Sequence, residues 1–274
     1  MVVVAVTAYL ALAHRRALPA YVLAGLPLAL LLGWYNAHYL GSPFQFGQSL
    51  VAPRLALAKT GVADPWQTPL WEGAAGVLVS PSRGLLVYSP FMAFAFWGVW
   101  VTWRNRTFAT LRPLAVAVAA LLCVGFKWYD WWGGWSFGYR PVVDTMPLLA
   151  VFLIPVLDTI WKRKVLLSAF GTLLAWSVLV QVVGAFAYDV TSWNGMREYE
   201  LSMPGRGQPV SVIGDAEAGR LVRAEGARVL RVHTMDVDRP EYRYRLWSVR
   251  DNQIFYFLRT FRESRERKHK NAGK

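Results

Sequence analysis

Cysteine is nearly missing from this chain of 274 residues: Cys123 stands alone, inside an apolar run. A disulfide framework and a cysteine-based metal site within the chain are thereby excluded, and Cys123 reads as a small buried hydrophobe. Histidine is scarce as well, and neither His14 nor His38 has metal-ligand spacing with another His, Cys or acid. Acids are thin over most of the length: of 17 Asp and Glu, only Asp64, Glu72, Asp130, Asp144 and Asp158 precede residue 188. No Walker loop, no GxGxxG after a strand and no serine-hydrolase elbow occurs, so the common nucleotide-binding and hydrolase signatures are absent. The start lacks the basic n-region and small-residue cleavage site of a signal peptide; Met1–Ala13 reads as the last two-thirds of a helix.

What the chain does hold is apolar and aromatic. Hydrophobic residues make up 55% and Phe, Trp and Tyr 15%, a combination rare in water-soluble proteins. The net charge of +13 is unevenly spread: 13 of the 30 Lys and Arg precede residue 188, and 17 follow. Two regions result, a membrane part at 1–187 and a polar C-terminal domain or tail at 188–274. Nucleic acid is set aside as a partner, because many cations of the first part end apolar runs, where membrane topology needs them. A basic tail beside a bilayer more often meets anionic lipid.

A membrane-spanning helix needs roughly 20 apolar residues. Such runs occur at about 17–36, 84–103, 108–126, 143–160 and 165–187, with the short run at 1–13 as a sixth. The fold expected is all-α membrane: a polytopic bundle of five to six spans with a small extramembrane α+β tail. The basic connections His14-Arg15-Arg16, Arg104-Asn105-Arg106 and Lys162-Arg163-Lys164 alternate so as to share one side, the cytoplasmic one. Segments 37–83 and 127–142 and the tail then share the other. Asn105-Arg106-Thr107 matches a glycosylation acceptor but falls on the cytoplasmic side. Trp71 to Val79 is apolar yet too short to span, and reads as interfacial or re-entrant. In the tail, the alternation at Arg228–Val232 predicts a strand. Ile254, Phe257, Leu258 and Phe261 form a helical stripe beside Arg259, Arg262 and Arg265; that helix lies on the bilayer or packs on the domain. Residues Arg262 to Lys274 are expected to be disordered.

The stretch KWYDWWGGWSFGYRPVVDTMP at 127–147 holds the densest chemistry. Indoles next to glycines and an acid/base set suit a sugar: Trp131, Trp132 and Trp135 can stack on its apolar face while Lys127, Asp130, Arg140 and Asp144 take hydroxyls or a phosphate. Glycine at 133, 134 and 138 permits close backbone approach and positive φ. Asp144 opens an apolar span, where an ionisable group is a functional candidate, and a helical turn from Arg140 would pair the two on one face. Arg83 lies between two Ser-Pro dipeptides at the start of a span and suits a phosphate. Glu72 is a further polar candidate. Asp130 and Asp144 together are candidates for a divalent cation, but two acids are too few to assign one, and no cofactor is assigned. The alternatives for these residues are an interfacial aromatic belt, a structural ion pair and an interfacial anchor.

Three phrases carry a family resemblance: Tyr35-Asn36 followed by Gly41-Ser42-Pro43-Phe44, then SPSRGLLVYSP at 80–90, and WWGGWSFGYRPVVDTMP at 131–147. With LWSVRDNQ at 246–253, they resemble the C-terminal half of bacterial polytopic GT-C glycosyltransferases, of the protein mannosyltransferase and aminoarabinose transferase superfamily. The resemblance implies a bacterial inner-membrane enzyme that moves a sugar from a polyprenyl-phosphate carrier to a lipid, glycan or protein acceptor on the extracytoplasmic face. Arg140 and Arg83 would contact phosphate, Asp144 would orient Arg140, and Asp130 would accept sugar hydroxyls or act as base. The family's own base is an acid of the first outer loop; the first acid here is Asp64, so no residue is carried over for that role. The chain thus reads as a glycosyltransferase that is N-terminally truncated, works with a partner, or is inactive. A non-catalytic lipid- or glycan-binding protein, a transporter-like protein and an inactive fragment are the alternatives.

Overall fold

Long apolar runs that satisfy their own backbone groups can only be helical, and 65% of the chain is helix in the computed structural model, which describes residues 2–262. The expected disorder of the last residues concerns 263–274, outside the described residues. The helices are α1 (Val2–Ala13), α2 (Leu18–Leu40), α3 (Gly47–Thr60), α4 (Leu70–Val79), α5 (Leu85–Tyr88), α6 (Met92–Arg104), α7 (Arg112–Lys127), α8 (Met146–Ala150), α9 (Ile154–Lys162) and α10 (Lys164–Phe186). After them come β1 (Gly195–Ser202), β2 (Val210–Ile213), α11 (Asp215–Glu225), β3 (Arg228–Asp236) and α12 (Gln253–Arg259). Counting 3-10 turns that prolong α7, α8 and α9, four helical stretches are long and apolar enough to cross a membrane: Leu18–Leu40, Arg106–Lys127, Arg140–Lys162 and Lys164–Phe186.

The run expected to span at 84–103 is not one helix. Ser89 leaves the helical region at φ −137°, ψ 63°, as a residue before proline is pushed to do. Pro90 has no N–H to continue the ladder. The run therefore splits into α5 and a 13-residue α6. α1, at 12 residues, is also too short to span, and packs on α7.

Close helix contacts are made by glycine. A Cβ at Gly73 of α4 would lie 1.8 Å from the Phe126 carbonyl oxygen of α7, and one at Gly98 of α6 only 1.6 Å from that of Phe152. Without side chains there, backbones touch, which is how membrane helices commonly associate. On α7, Ala115, Val118, Leu122 and Gly125 make the buried stripe. Cys123 falls off that stripe and is exposed, so it is not the buried hydrophobe expected. Arg104 covers Trp100 and Arg112 covers Trp103 at 5.2 and 5.6 Å, placing aromatic and basic groups together at one end of α6, as interfaces require.

The main core does not stop at residue 187. Trp193, Val237, Leu246 and Phe257 join the cluster built by Leu85, Met92, Trp132 and Phe152. The antiparallel sheet, in the order β2-β1-β3, makes a small core of its own, with Leu201, Ala218, Leu221 and Ala227 under α11. Tyr199 of β1 faces Val212 and Val232, and a register shift follows Glu200. α12 packs on the domain: Ile254 and Phe257 are buried, and its Asn252 cap accepts from the backbone N–H of Ile254 and Phe255.

Candidate functional site

The phrases around residues 83, 132 and 253 fold into one buried polar node. Arg83 is 1% exposed, and all five of its N–H donors are used. Nε donates to the Trp132 carbonyl at 2.9 Å, Nη1 to Ser82 O at 3.0 Å and Gln253 Oε1 at 2.6 Å, and Nη2 to Gly134 O at 3.2 Å and Asn194 Oδ1 at 2.8 Å. A guanidinium has five donors, so Arg83 is not free to hold a phosphate, and that expectation is corrected. Gln253 also accepts from Tyr88 at 2.9 Å and donates to Ser136 O at 3.0 Å. The segment before α12 is stapled to the Ser-Pro-Ser loop: Ser80 Oγ donates to Leu246 O at 2.6 Å, and Asn252 Nδ2 donates to Pro81 O.

The tryptophans belong to the same scaffold. Trp131 is 4% and Trp132 2% exposed. Trp131 seats on Gly76, where a Cβ would meet the ring at 2.3 Å. Three indole N–H groups donate to aspartates of the tail: Trp132 to Asp238 at 2.8 Å, Trp135 to Asp236 at 2.6 Å and Trp193 to Asp251 at 2.8 Å. Arg243 lies over Trp132 and Arg245 over Trp193, each at 4.4 Å, a contact strengthened by exclusion of water. Trp131 and Trp132 therefore cannot stack on a ligand; their expected role is corrected to packing. Trp135 is half-buried and lines a cleft.

The scaffold presents Asp130. The Gly133-Gly134 turn has φ of +74° and +61°, which only glycine adopts without strain. It brings the Gly134 N–H 2.9 Å from Asp130 Oδ1. The other oxygen accepts from Lys59 Nζ at 2.8 Å, and the same ammonium lies 3.0 Å from Asp238. Burial raises the Asp130 carboxyl above its ordinary value, against the opposing pull of Lys59. Burial disfavours the charge on Lys59 too, but the two carboxylates outweigh it and hold the lysine above its ordinary value.

Arg140 and Asp144 are both exposed and line the same cleft as Asp130, of about 430 Å³. They do not pair. Arg140–Thr145 is a 3-10 turn, and with three residues per turn positions four apart point in different directions. Among the described residues no ion pair joins them. Lys127 ends α7, half-buried, and lines none of the three clefts described here. No group of three His, Cys, Asp or Glu gathers among the described residues; the ammonium of Lys59, not a third acid, stands beside Asp130.

Arg140 also lines a second cleft of about 370 Å³ with Ser136, Gly138, Gln181 and Tyr188. Tyr139 and Gln181 also line a third, of about 500 Å³ and apolar, between α10 and Phe91 and Met146. Three neighbouring clefts thus share wall residues, from the flank of α10 to Asp130. Lys59, Asp238, Asn194 and Gln253 were not expected here. Their signal was weak: Lys59 is an isolated cation in the 37–83 segment, and the other three lie in the polar tail.

No protein-family model, curated protein or solved structure matches the chain. Fold and site define a mostly helical protein with four helices able to cross a membrane and a polar cleft at the end of an apolar one.

Proposed function

We propose that this chain is the carrier- and acceptor-binding part of a membrane glycosyltransferase similar to the GT-C class, acting on a polyprenyl-phosphate-linked sugar at the outer face of a bacterial plasma membrane. The observation that carries the reading is the adjacency of the three clefts, with Arg140 in the wall shared by two of them. An apolar tail, a phosphate and a sugar follow one another in such a substrate, and an apolar groove, a guanidinium and a carboxylate-lined cleft follow one another here. Arg140 holds the phosphate. Asp130, beside it in the cleft, takes the proton from the acceptor hydroxyl as that oxygen attacks the sugar carbon and the carrier phosphate leaves. The Trp-Gly scaffold with Arg83 keeps Asp130 in place and is not itself a sugar platform. In this reading α5 and α6 together carry the chain from the outer face at Leu85 to the cytoplasmic side at Arg104, a fifth crossing beside the four long stretches.

One observation favours binding without transfer: both Asp130 oxygens already accept hydrogen bonds. The test separates the two. Purified chain is supplied with a polyprenyl-phosphate sugar, and carrier binding and sugar release are measured for the parent, Arg140→Ala, Asp144→Ala and Asp130→Asn. Transfer predicts that Arg140→Ala loses binding and Asp130→Asn loses release with binding kept. Binding without release in the parent selects the non-catalytic reading, and full binding by Arg140→Ala refutes both.

A further inference from the structure

The side chain of Gln181 is out of place. It lies on α10, an otherwise apolar helix, five residues before Phe186 and so roughly 7 Å below the outer end of that helix at 1.5 Å per residue. Its amide makes no hydrogen bond among the described residues, and it is exposed. In water an exposed amide needs no partner. At that depth in a bilayer it has none, and an unsatisfied polar group in hydrocarbon is costly. With Tyr139, Gln181 is also a wall shared by two clefts: it lines both the apolar groove and the polar cleft that Arg140 lines. Arg140 likewise has no hydrogen bond or ion pair among the described residues.

The groove below Gln181 is apolar, as a hydrocarbon chain requires. Its α10 wall is the stripe Leu174, Val178, Gln181 and Ala185, spaced by four, three and four as on one helix face. From Gln181 down to Leu174 it runs seven residues, roughly 10 Å, within the depth of one leaflet at about half of 30 Å. Polar groups near its mouth other than Gln181 are already engaged: Ser89 with Tyr139 at 2.8 Å, and Ser177 with the Leu173 carbonyl at 2.7 Å. A neutral hydrocarbon would leave Gln181 and Arg140 unpaired. A chain ending in phosphate would satisfy both, the amide donating to one phosphate oxygen and the guanidinium to the others.

We infer that Gln181 is the residue by which the lateral groove selects a lipid carrying a phosphate over the same lipid without one. This rests on the glycosyltransferase reading above and adds to it the side of entrance and a specificity residue. The experiment measures binding of a short-chain polyprenyl monophosphate and of the polyprenol of equal length to the full chain in nanodiscs of neutral phospholipid. The parent is expected to prefer the monophosphate by at least tenfold. Gln181→Leu is expected to lose about tenfold for the monophosphate, the worth of a hydrogen bond to a charged group, and nothing for the polyprenol. Gln181→Glu should lose more, by repulsion. Since the Gln181 side chain makes no hydrogen bond among the described residues, unchanged thermal melts in both variants verify that folding is intact. Gln181→Leu binding the monophosphate like the parent, while Arg140→Ala does not, overturns this inference and leaves the reading standing. A parent that binds both lipids equally overturns the two together. Displacement of the lipid by inorganic phosphate at equal concentration also overturns the inference, since the site would then take a free anion.

Discussion

Replacing Arg83 by alanine tests whether it is scaffold or ligand-binding group. Among the described residues its guanidinium is the sole donor to the Trp132 carbonyl and to Asn194 Oδ1. Ser82 O, Gly134 O and Gln253 Oε1 keep other donors. Two buried acceptors are thus orphaned, at about 1–3 kcal/mol each, or about 2–6 kcal/mol together, before the emptied volume beside Trp193 is counted. A whole domain is stable by only about 5–15 kcal/mol, so the loss is a large fraction. At roughly 2–4 °C per kcal/mol for a chain of this size, the melting temperature in detergent should fall by on the order of 10 °C. Proteolysis should open the junction between residues 80 and 253 first. Arg83→Lys should be only partly better, because an ammonium has three donors and no planar fork. The reasoning is refuted if Arg83→Ala melts within about 2 °C of the parent while losing phosphate-ligand binding, since that is how a free ligand-binding arginine behaves.

Other outcomes follow from the same geometry. Burial raises the Asp130 carboxyl, so transfer that needs it ionised should fall, as pH drops, earlier than for an ordinary aspartate. Lys59→Met removes the cation that opposes the rise and should move this acidic limb to still higher pH; an unmoved limb in a pH–rate profile speaks against Asp130 as base. Lys59 is itself held above 10.5 by its two carboxylates. Its contribution to stability should therefore be complete below pH 10.5 and disappear only as pH rises through the raised value, a loss absent from melts of Lys59→Met. Because Arg140 and Asp144 do not pair, losses in ligand affinity of Arg140→Ala and Asp144→Ala should add within about 0.5 kcal/mol; a larger coupling energy would show that they act as a unit. Gly98→Val should prevent α6 from seating on Phe152 and abolish recovery of folded protein by size-exclusion chromatography, whereas Gly25→Ala, with nothing within 4 Å, should behave like the parent.

What the sequence made legible was governed by solvent. Spans at 17–36, 108–126, 143–160 and 165–187 match helices at 18–40, 106–127, 140–162 and 164–186, because hydropathy over 20 residues is a sum that local detail hardly changes. The 84–103 run misled for the opposite reason: one proline outweighed its apolar composition. The chemistry around residue 130 was visible as composition, and Asp130, Arg140 and Asp144 do share a cleft. The assignment of roles was not visible, because it depends on partners far away in the chain. Trp132 looks like a sugar platform until Asp238 is seen to hold its N–H, and Arg83 looks like a phosphate ligand until Gln253 and Asn194 are in place. Lys59 and Gln181 carry no motif at all; each is one polar residue in unremarked surroundings, meaningful only through what lies opposite.

The node around Arg83 has a consequence for how the protein is made. The Gln253 side-chain amide oxygen that closes it lies 170 residues further along the chain. At a synthesis rate of about 5–20 residues per second, the arginine waits on the order of ten seconds or more for that partner. In the proposed topology Arg83 and the tryptophan loop are during that interval already in or beside the bilayer, with a charge unsatisfied, and the cleft finishes forming only when the polar tail has crossed to the same side. That topology orders biogenesis: insertion of the helices first, translocation of the tail second, and the cleft last. A chain whose tail is retained on the wrong side would be inserted but would never acquire its site.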